Sequence, residues 1–401
     1  MSVARDRLPI GRSLVAAPRG WAAASSTPRW ASHPTIRATE IEDSPTSHDL
    51  LMLLVNQLLD APEHRRAGHP ERPGRAGAAM AGIEDLHLGS ELELVTPHPA
   101  KPAELLRVHD RAYLERLEEF CAAGGGDLDP DTYAVSESWS CATTAAGAGL
   151  SVLEGLRARG DGLGFVCARP PGHHALSDRA MGFCLLNNVA VAAAALVAHG
   201  ERVLIVDWDV HHGNGTQELF WDDPHVLYVS THQWPLFPGT GRAGDVGGPN
   251  ALGYTVNVPL PPGSSGDTVL RALDEVAFPA VEVFGPTWVL VSAGFDAHRS
   301  DPMADLALSS ADFARLATLV ASFAPAPGRM VLFLEGGYDL EAIRSSVTAT
   351  LGALLDAAPG TNIERSTSDE LGSAVVRRAK AERSGALHHA RERAHGDRIL
   401  E

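Results

Sequence analysis

The sequence predicts an α/β fold, in which a mainly parallel sheet is covered by helices on both faces. Short apolar runs rich in Val, Ile and Leu alternate with longer segments of helical periodicity. Strands that are apolar throughout, without an alternating polar face, are typical of parallel sheets buried on both sides. The predicted strands are residues 51–55, 202–207, 226–230, 254–258, 288–292 and 330–334, and the predicted helices are residues 185–199, 268–284, 310–323 and 340–357.

These segments form a single predicted domain over residues 49–360, because no Pro-, Gly- or Ser-rich linker divides them. Residues 1–48 lack periodicity and are predicted to be a disordered leader. The first 32 residues carry five arginines and one acid, Asp6, a composition similar to that of an organelle transit peptide. A leader translated from an over-long start is the alternative. Residues 361–401 are predicted to form a helical or frayed tail.

Composition excludes several classes of protein. Of the 401 residues, 33 are Lys or Arg and 50 are Asp or Glu, which gives a net charge of −17. Such an acidic chain is not expected to bind nucleic acid or an anionic membrane surface, and no apolar run approaches the roughly 20 residues that span a bilayer. The four cysteines are too few and too scattered for a disulfide scaffold. Free thiols in a reducing cytosol are expected, so we predict a cytoplasmic protein.

Polar or glycine-rich groups follow four of the predicted strands. They are residues 207–213 (DWDVHHG), 230–232 (STH), 292–296 (SAGFD) and 335–338 (EGGY). In open α/β sheets, ligands bind outside the carboxyl ends of the strands. The four groups are therefore expected to converge on one pocket.

A metal site is predicted from three of these residues. Asp209 and His211 lie two positions apart after a buried strand, so their side chains share one face, and Asp296 follows another strand. Two carboxylates and one imidazole suit Zn²⁺ or Fe²⁺. Because only three protein ligands are present, coordination positions stay open for water and substrate.

Two further groups carry residues suited to acid–base chemistry. The Pro- and Gly-rich loop at residues 169–174 (RPPGHH) presents His173 and His174, and a histidine near neutral pKa can take a proton from water and return it to a leaving amine. Tyr338 follows two glycines, which allow a phenol to reach the pocket and donate a hydrogen bond to a developing alkoxide. The alternatives are a solvated His-His loop and a core tyrosine.

Together these motifs resemble those of the histone deacetylase and acetylpolyamine amidohydrolase family. The resemblance covers about residues 50–360 and rests on the motifs at residues 69–73 (HPERP), 169–175, 182–188 (GFCLLNN), 207–216, 292–301 and 335–340. Trp208, Asn214 and the EGGY form are similar to the class II branch, since class I members usually carry Asp at the Asn214 position. The resemblance implies the arginase/deacetylase-like fold, with a catalytic domain over residues 49–360.

The resemblance also implies roles for individual residues. Zinc would be held by Asp209, His211 and Asp296, and one ion is expected because the strip at residues 296–298 lacks the second carboxylate of an arginase. His173 and His174 would be the tandem histidines, with His174 as the general base and acid. The other catalytic residues implied are Asp207, which orients His173, Asn214, which lies behind His174, and Tyr338.

The resemblance places the substrate in an acyl-lysine tunnel. Phe183 and Phe237 would be its aromatic walls, with Arg75 beneath the metal and Met303 at the entrance. Taken alone, either Phe would be assigned to the core and Arg75 to a surface ion pair. The remaining pocket residues implied are Gly182, Gly336 and Gly337. A structural K⁺ is also implied, and its residues are Asp207, Asp209 and His211 through backbone oxygens, with Ser230 and Thr231.

The predicted reaction is hydrolysis of the amide that joins an acetyl or other short acyl group to an amine. Met303 offers no counter-charge to a polyamine, whereas polyamine-specific family members carry Glu there, so acylated lysine in a peptide or protein is expected. An acetylated polyamine or other small amide is the alternative, because an acidic chain attracts cations. A non-catalytic acyl-lysine-binding protein would instead lack a metal ligand or Tyr338. The oligomeric state stays open, a homo-oligomer included.

Overall fold

The computed structural model describes residues 51–355 and 370–400 of the chain. The chain divides into two units, residues 1–43 and residues 44–401. The first unit, and with it the whole predicted leader over residues 1–48, lies outside the described residues. No helix of the described ranges is both long enough and apolar enough to cross a membrane.

Eight parallel strands of the described chain form the central sheet. In sheet order, with numbers following the chain, they are β2 (Leu92–Val95), β1 (Leu53–Asn56), β5 (Leu163–Val166), β10 (Met330–Leu334), β9 (Trp288–Ala293), β6 (Val203–Asp207), β7 (Val226–Gln233) and β8 (Thr255–Leu260). Two short strands, β3 (Gly125–Asp127) and β4 (Tyr133–Val135), pair antiparallel outside this sheet. The mainly parallel sheet of the predicted fold class is confirmed.

Helices cover both faces of the sheet. Those in the described ranges are α1 (Arg75–Glu84), α2 (Pro102–Leu105), α3 (Arg111–Ala122), α4 (Ser138–Arg159), α5 (Asn188–Val197), α6 (Asn214–Leu219), α7 (Gly266–Ala272), α8 (Phe278–Phe284), α9 (Ser310–Ala321), α10 (Leu340–Leu355) and α11 (Glu370–Leu400). A 3₁₀ turn spans Gly89–Glu91, and a π-helical turn, Leu273–Ala277, joins α7 to α8. Helix α11 packs against β8 and α7.

Alternate residues of the strands enter two apolar cores, one on each face of the sheet. In β6, Leu204 and Val206 belong to one core, while Val203 and Ile205 belong to the other. This two-residue period is the geometry of a strand buried on both faces, and it explains the continuous apolar runs of the sequence. Helices α1, α9 and α10 contribute to the first core, and α4 and α5 to the second.

Most predicted elements agree with the observed ones within a few residues. The strand predicted at residues 330–334 has the same bounds as β10, whereas the strand predicted at 226–230 continues to Gln233. The helical stretch predicted at residues 268–284 is found as α7, the π-helical turn and α8. The α-helical ladder is interrupted there because Pro279 has no N–H to continue it. Helix α4 has no predicted counterpart, since it is rich in Ala and Gly and buried around much of its surface.

The order of the strands brings five carboxyl ends together. Strands β5, β10, β9, β6 and β7 are neighbours in the parallel sheet and therefore end at the same edge. The chain leaves β6 towards β7 and β8 on one side and later returns to add β9 and β10 on the other. Such a reversal opens a crevice outside the carboxyl ends. The polar groups that follow these strands line this crevice.

Candidate active site

Two carboxylates and one imidazole meet at the carboxyl ends of β6 and β9. One ligand atom from each of Asp209, His211 and Asp296 lies within 4.8 Å of the others, and all three side chains are buried. His211 Nδ1 lies 3.1 Å from Asp209 Oδ1 and 3.2 Å from Asp296 Oδ2. The Gly336 N–H donates to Asp209 at 2.7 Å, and the Val210 N–H donates to Asp296 at 2.9 Å. The structure therefore brings together the three residues that the sequence predicts as metal ligands.

The two acids of this group differ in their tendency to ionise. Burial raises the pKa of Asp209, but the charges of His173 and His211 outweigh burial and hold that pKa below its ordinary value. Burial, together with the charge of Asp209, raises the pKa of Asp296 to about 7. A close pair of carboxylates, one ionised and the other resisting ionisation, is stabilised by an added cation. The donor set and its charge therefore fit a divalent metal ion.

The tandem histidines have different partners and opposite charge preferences. His173 Nδ1 lies 3.1 Å from Asp207 Oδ2, and His174 Nδ1 lies 2.8 Å from Asn214 Oδ1. Burial lowers the pKa of His173, but the charges of Asp209 and Asp207 outweigh burial and raise the pKa to about 10. Burial, followed by the charge of His173, lowers the pKa of His174 well below its ordinary value. One imidazole is therefore held protonated and the other neutral.

Tyr338 follows β10 and is held by a buried arginine. The Arg75 guanidinium lies 4.8 Å from the centre of the phenol ring, and its Nε donates to the Gly337 carbonyl at 2.5 Å. Burial raises the pKa of Tyr338 well above its ordinary value, so the phenol stays protonated and remains a hydrogen-bond donor. Because Arg75 is only 1% exposed, the alternative of a surface ion pair is excluded.

Two aromatic rings lie against the predicted catalytic side chains. The Phe183 ring is 5.9 Å from the Tyr338 ring, and the Phe237 ring is 5.1 Å from the His174 ring, both edge to face. Phe237 is 38% exposed, so it is not a core residue. Gly182 packs so closely on His174 and Phe237 that a Cβ would overlap both rings. Phe183 and Phe237 therefore lie beside the residues predicted as catalytic, and their role as walls of a substrate tunnel stays a prediction.

The two glycines before Tyr338 are required by their surroundings. A Cβ on Gly336 would overlap the carboxylates of Asp209 and Asp296. Gly337 has a φ of +121°, which residues with a side chain rarely adopt. The EGGY sequence therefore places the phenol next to the metal-ligand residues without a clash.

Met303, the predicted entrance residue, is partly exposed. Its backbone N–H donates to Asp301 Oδ1 at 3.1 Å, and Asp301 Oδ2 accepts from the Tyr338 N–H at 2.6 Å. The segment that carries Met303 is therefore tied to the segment that carries the phenol. The role of Met303 in substrate choice stays a prediction.

Sequence reasoning assigned no role to Glu335 or Tyr228. Glu335 Oε2 accepts from the N–H groups of Gly172 (2.7 Å) and His173 (3.2 Å), and burial raises the pKa of Glu335 to about 7. A charged residue directly after a wholly apolar strand was the available signal. The Tyr228 hydroxyl donates to Asp207 Oδ2 at 3.0 Å. No sequence pattern indicated a role for Tyr228, because a tyrosine inside an apolar strand is indistinguishable from a core residue.

A second buried group of charges consists of Glu71, Arg75 and Arg169, and we call it the arginine cluster. Glu71 accepts from Arg75 at 3.1 Å and from Arg169 at 2.5 and 2.6 Å. Burial raises the pKa of Glu71, but the charge of Arg169 outweighs burial and holds the pKa below its ordinary value. The HPERP motif thus supplies a buried acid. The sequence did not reveal it, since a charged residue in a Pro-rich segment is usually exposed.

The residues predicted to bind K⁺ lie on adjacent strands. Asp207 of β6 is the register partner of Ser230 of β7. Ser230 Oγ lies 2.9 Å from His232 Nδ1, and Thr231 Oγ1 is buried with no hydrogen-bond partner among the described residues. The K⁺ site stays a prediction.

Comparisons with known proteins identify the family. Residues 69–354, more than half of the chain, match the histone deacetylase domain. The chain belongs to the histone deacetylase family. A relative from Oryza sativa subsp. japonica, named histone deacetylase 10, chloroplastic, is 40% identical over 354 residues, which cover 80% of each chain. A Pseudomonas aeruginosa relative, named histone deacetylase-like amidohydrolase, is 40% identical over 277 residues, which cover 68% of this chain and 73% of that one.

A solved structure agrees with this assignment. The crystal structure of the HDA15 HD domain matches with a TM-score of 0.76 at 34% identity, covering 85% of this chain and 99% of that one. The predicted arginase/deacetylase-like fold is confirmed, and this histone deacetylase family member is a hydrolase that acts on amide bonds. The alternative of a non-catalytic acyl-lysine-binding protein requires a missing metal ligand or a missing Tyr338, and all of these residues are present.

The predicted cytoplasmic location is wrong. It is contradicted by the rice relative, whose name describes a chloroplastic protein. All four cysteines are free thiols, as predicted. However, free thiols are typical of any reducing compartment, so they do not distinguish the cytosol from the interior of an organelle.

Proposed function

We propose that this histone deacetylase family member removes acetyl or other short acyl groups from lysine side chains of peptides or proteins, with zinc as its metal and K⁺ as a structural ion. The observation that carries the proposal is the meeting of three metal-ligand side chains, a neutral imidazole and a protonated phenol in one crevice. Each of these groups has a defined part in amide hydrolysis.

Asp209, His211 and Asp296 would hold the zinc ion. Two carboxylates and one imidazole leave coordination positions open, as catalytic zinc sites do and structural zinc sites do not. When bound, zinc supplies a positive charge that polarises the acyl carbonyl and makes water easier to deprotonate. Fe²⁺ accepts the same donor set, and the choice of zinc is part of the proposal.

His174 is arranged to act as the general base. The Asn214 amide oxygen accepts a hydrogen bond from the Nδ1–H of His174 across 2.8 Å, which leaves the lone pair of Nε2 free to take a proton from water. An amide stabilises an imidazolium less than a carboxylate does, so the neutral form is favoured. After water attacks the acyl carbon, His174 would donate this proton to the departing lysine nitrogen.

His173 supports the base by its charge and its fixed position. Asp207 accepts from His173 Nδ1 at 3.1 Å and from the Tyr228 hydroxyl at 3.0 Å, so both the acid and the ring are held. The positive charge of His173 lowers the pKa of His174, which keeps the base neutral. A pair of titratable groups whose pKa values are pushed apart is typical of acid–base sites.

Tyr338 is expected to stabilise the negative charge that develops on the acyl oxygen. Its phenol stays protonated, and the Arg75 guanidinium lies 4.8 Å from the ring centre. A preorganised donor in a buried site stabilises a developing oxyanion far more than a donor in water does.

The Tyr338→Phe variant tests this assignment. Removal of one oxyanion donor lowers kcat by about 10²–10³-fold, so Tyr338→Phe should lose that much kcat on an acetyl-lysine peptide and keep the metal content of wild type. Acetate release and elemental analysis measure the two quantities. Wild-type turnover by Tyr338→Phe would refute the role of the phenol.

The substrate class is tested at Met303. We expect wild type to have a higher kcat/KM for an acetyl-lysine peptide than for acetylspermidine, because the thioether offers no counter-charge to a polyamine. Met303→Glu should shift this ratio about fivefold towards acetylspermidine, the usual scale of a partly exposed ion pair. Met303→Gln, similar in size but uncharged, is the control and should leave the ratio near that of wild type.

The alternative is a deacetylase of polyamines or other small amines, which the net charge of −17 favours because it attracts cations. A wild-type enzyme that prefers acetylspermidine would support this alternative and refute the acyl-lysine assignment.

A further inference from the structure

The peptide group between Gly337 and Tyr338 is held at both ends by buried charged side chains. Its carbonyl accepts from Arg75 Nε at 2.5 Å, and its N–H donates to Asp301 Oδ2 at 2.6 Å. Arg75 is 1% exposed and Asp301 is 6% exposed. Charge-assisted hydrogen bonds are stronger than neutral ones, and bonds at both the carbonyl and the N–H of one peptide group fix its orientation. The backbone from which the phenol projects is therefore set by two side chains.

The Asp301 carboxylate accepts two further backbone hydrogen bonds. Oδ2 accepts a second hydrogen bond from the Asp339 N–H at 3.1 Å, and Oδ1 accepts from the Met303 N–H at 3.1 Å. The Asp301 N–H itself donates to the His298 carbonyl at 2.8 Å, which closes the turn that follows Asp296. One side chain thus joins the segment after β9, which also carries Met303, to the segment after β10.

We propose that Asp301 is a positioning residue for Tyr338, which holds the phenol in a fixed relation to the metal-ligand residue Asp296 and to the segment of Met303. This proposal rests on the role of Tyr338 in the proposed function. Asp301 acts through the backbone N–H groups that it accepts. A carboxylate is required, because one oxygen serves two N–H groups while the other serves a third; an Asn would turn its own N–H groups towards one set of donors.

A double-mutant cycle on the full-length, metal-loaded enzyme tests the proposal. A displacement of about 1 Å can slow a reaction 10²-fold, so Asp301→Asn should lower kcat on an acetyl-lysine peptide about 10- to 100-fold, with KM and metal content near those of wild type. In a Tyr338→Phe background the same substitution should lower kcat no more than about twofold, because the group that it positions is already absent. Equal losses in both backgrounds, or full kcat in Asp301→Asn, would overturn the proposal.

Asp312→Asn is the matched control. Asp312 is also 6% exposed and accepts from the Ser309 N–H at 2.9 Å, but it belongs to the cap of helix α9. Its substitution should lower the unfolding midpoint and have the same small effect on kcat with Tyr338 or Phe at position 338. If Asp301→Asn does not fold, Asp301→Ser, which keeps one acceptor in a smaller side chain, takes its place in the cycle.

Hydrogen exchange separates this proposal from the proposed function. Without substrate, Asp301→Asn should speed exchange of the Tyr338 and Asp339 amides about tenfold and leave the amides of β10 unchanged. Unchanged exchange at Tyr338 would overturn the positioning role whatever the enzyme hydrolyses. Full activity of Tyr338→Phe, with faster exchange in Asp301→Asn, would instead refute the role that the proposed function gives to the phenol and leave the backbone contacts of Asp301 in place.

Discussion

The metal-ligand trio and the arginine cluster are both buried groups of charges, but only in the arginine cluster does the acid have permanently charged cationic partners. There, Glu71 lies between two guanidiniums, and its pKa stays below the ordinary value. In the trio, Asp209 and Asp296 share one imidazole and several backbone N–H groups, and the pKa of Asp296 rises to about 7.

This difference separates a structural charge cluster from a functional one. A buried acid with guanidinium partners is satisfied by the chain itself, whereas two buried acids with one imidazole retain charge that a bound cation satisfies. Arg75 links the arginine cluster to Tyr338, since it bonds Glu71 and contacts the Tyr338 ring. Substitutions are therefore expected to remove stability in the arginine cluster, and metal and activity in the trio.

The largest effect is expected from Asp296→Asn. It removes one anionic metal ligand, so kcat/KM for an acetyl-lysine peptide should fall by at least about 10³-fold as metal is lost. With metal removed from both proteins, the variant should be at least as stable as wild type, because repulsion with Asp209 is gone. Acetate release and urea unfolding after chelation measure these effects. A metal-free variant markedly less stable than metal-free wild type would show that Asp296 is a structural acid.

Glu71→Gln is expected to lose stability and to keep its metal. Removing one partner of a buried ion pair destabilises a protein by about 3–5 kcal/mol, so urea unfolding should show a loss of that size while the folded variant still binds metal. Asp85→Asn is the control: Asp85 pairs with Arg344 at the surface, and exposed pairs contribute little to stability. Equal losses of unfolding free energy in the two variants would mean that burial does not determine how much the arginine cluster stabilises the protein.

His109 extends the comparison to a buried group that is kept uncharged. Its Nδ1 donates to the Leu176 carbonyl at 2.9 Å, and its Nε2 accepts from the Asn187 N–H at 3.0 Å, so a second ring proton would face a donor. Burial lowers the pKa of His109 to about 4. Since the unfolded chain binds this proton at higher pH, the stabilisation is complete above about pH 6.5 and is lost as pH falls towards 4.

Between pH 7 and pH 5 this residue should lower the free energy of unfolding by about 2 kcal/mol. The Gln side chain of His109→Gln can also donate and accept a hydrogen bond but does not titrate. The fall in unfolding free energy from pH 7 to pH 5 should therefore be smaller in this variant than in wild type by about 2 kcal/mol. Urea unfolding of both proteins at the two pH values measures the difference. An identical pH dependence in wild type and variant would exclude His109 as the titrating group.

Most of the candidate site could be predicted, because its residues directly follow apolar strands. Parallel strands end at one edge, so Asp209, His211 and Asp296 meet for a reason that is visible in the sequence. Partners that come from distant segments could not be predicted. Glu71 and Arg169 are 98 residues apart, and a hydrogen bond between distant segments leaves no local pattern.

The fold was predictable where the burial pattern is simple. Strands apolar on both faces were found within a few residues of their observed bounds, and β10 with the same bounds, because an apolar run of about five residues fits the length of a strand and is too short for a helix. Helix α4 was missed because Ala and Gly replace larger apolar residues there, and close packing rather than amphipathicity defines it. Strand β5 was missed because it has only four residues and Gly164 interrupts its apolar run.

We propose that one divalent ion, bound by two acids and one imidazole, drives amide hydrolysis here. Counting the metal retained by the purified full-length chain, and following acetate release from an acetyl-lysine peptide before and after chelation, tests it most directly. We predict about one zinc ion per chain, loss of acetate release on chelation, and recovery when zinc is added back. A chain that retains no divalent metal, or that releases acetate equally fast after chelation, would contradict the claim.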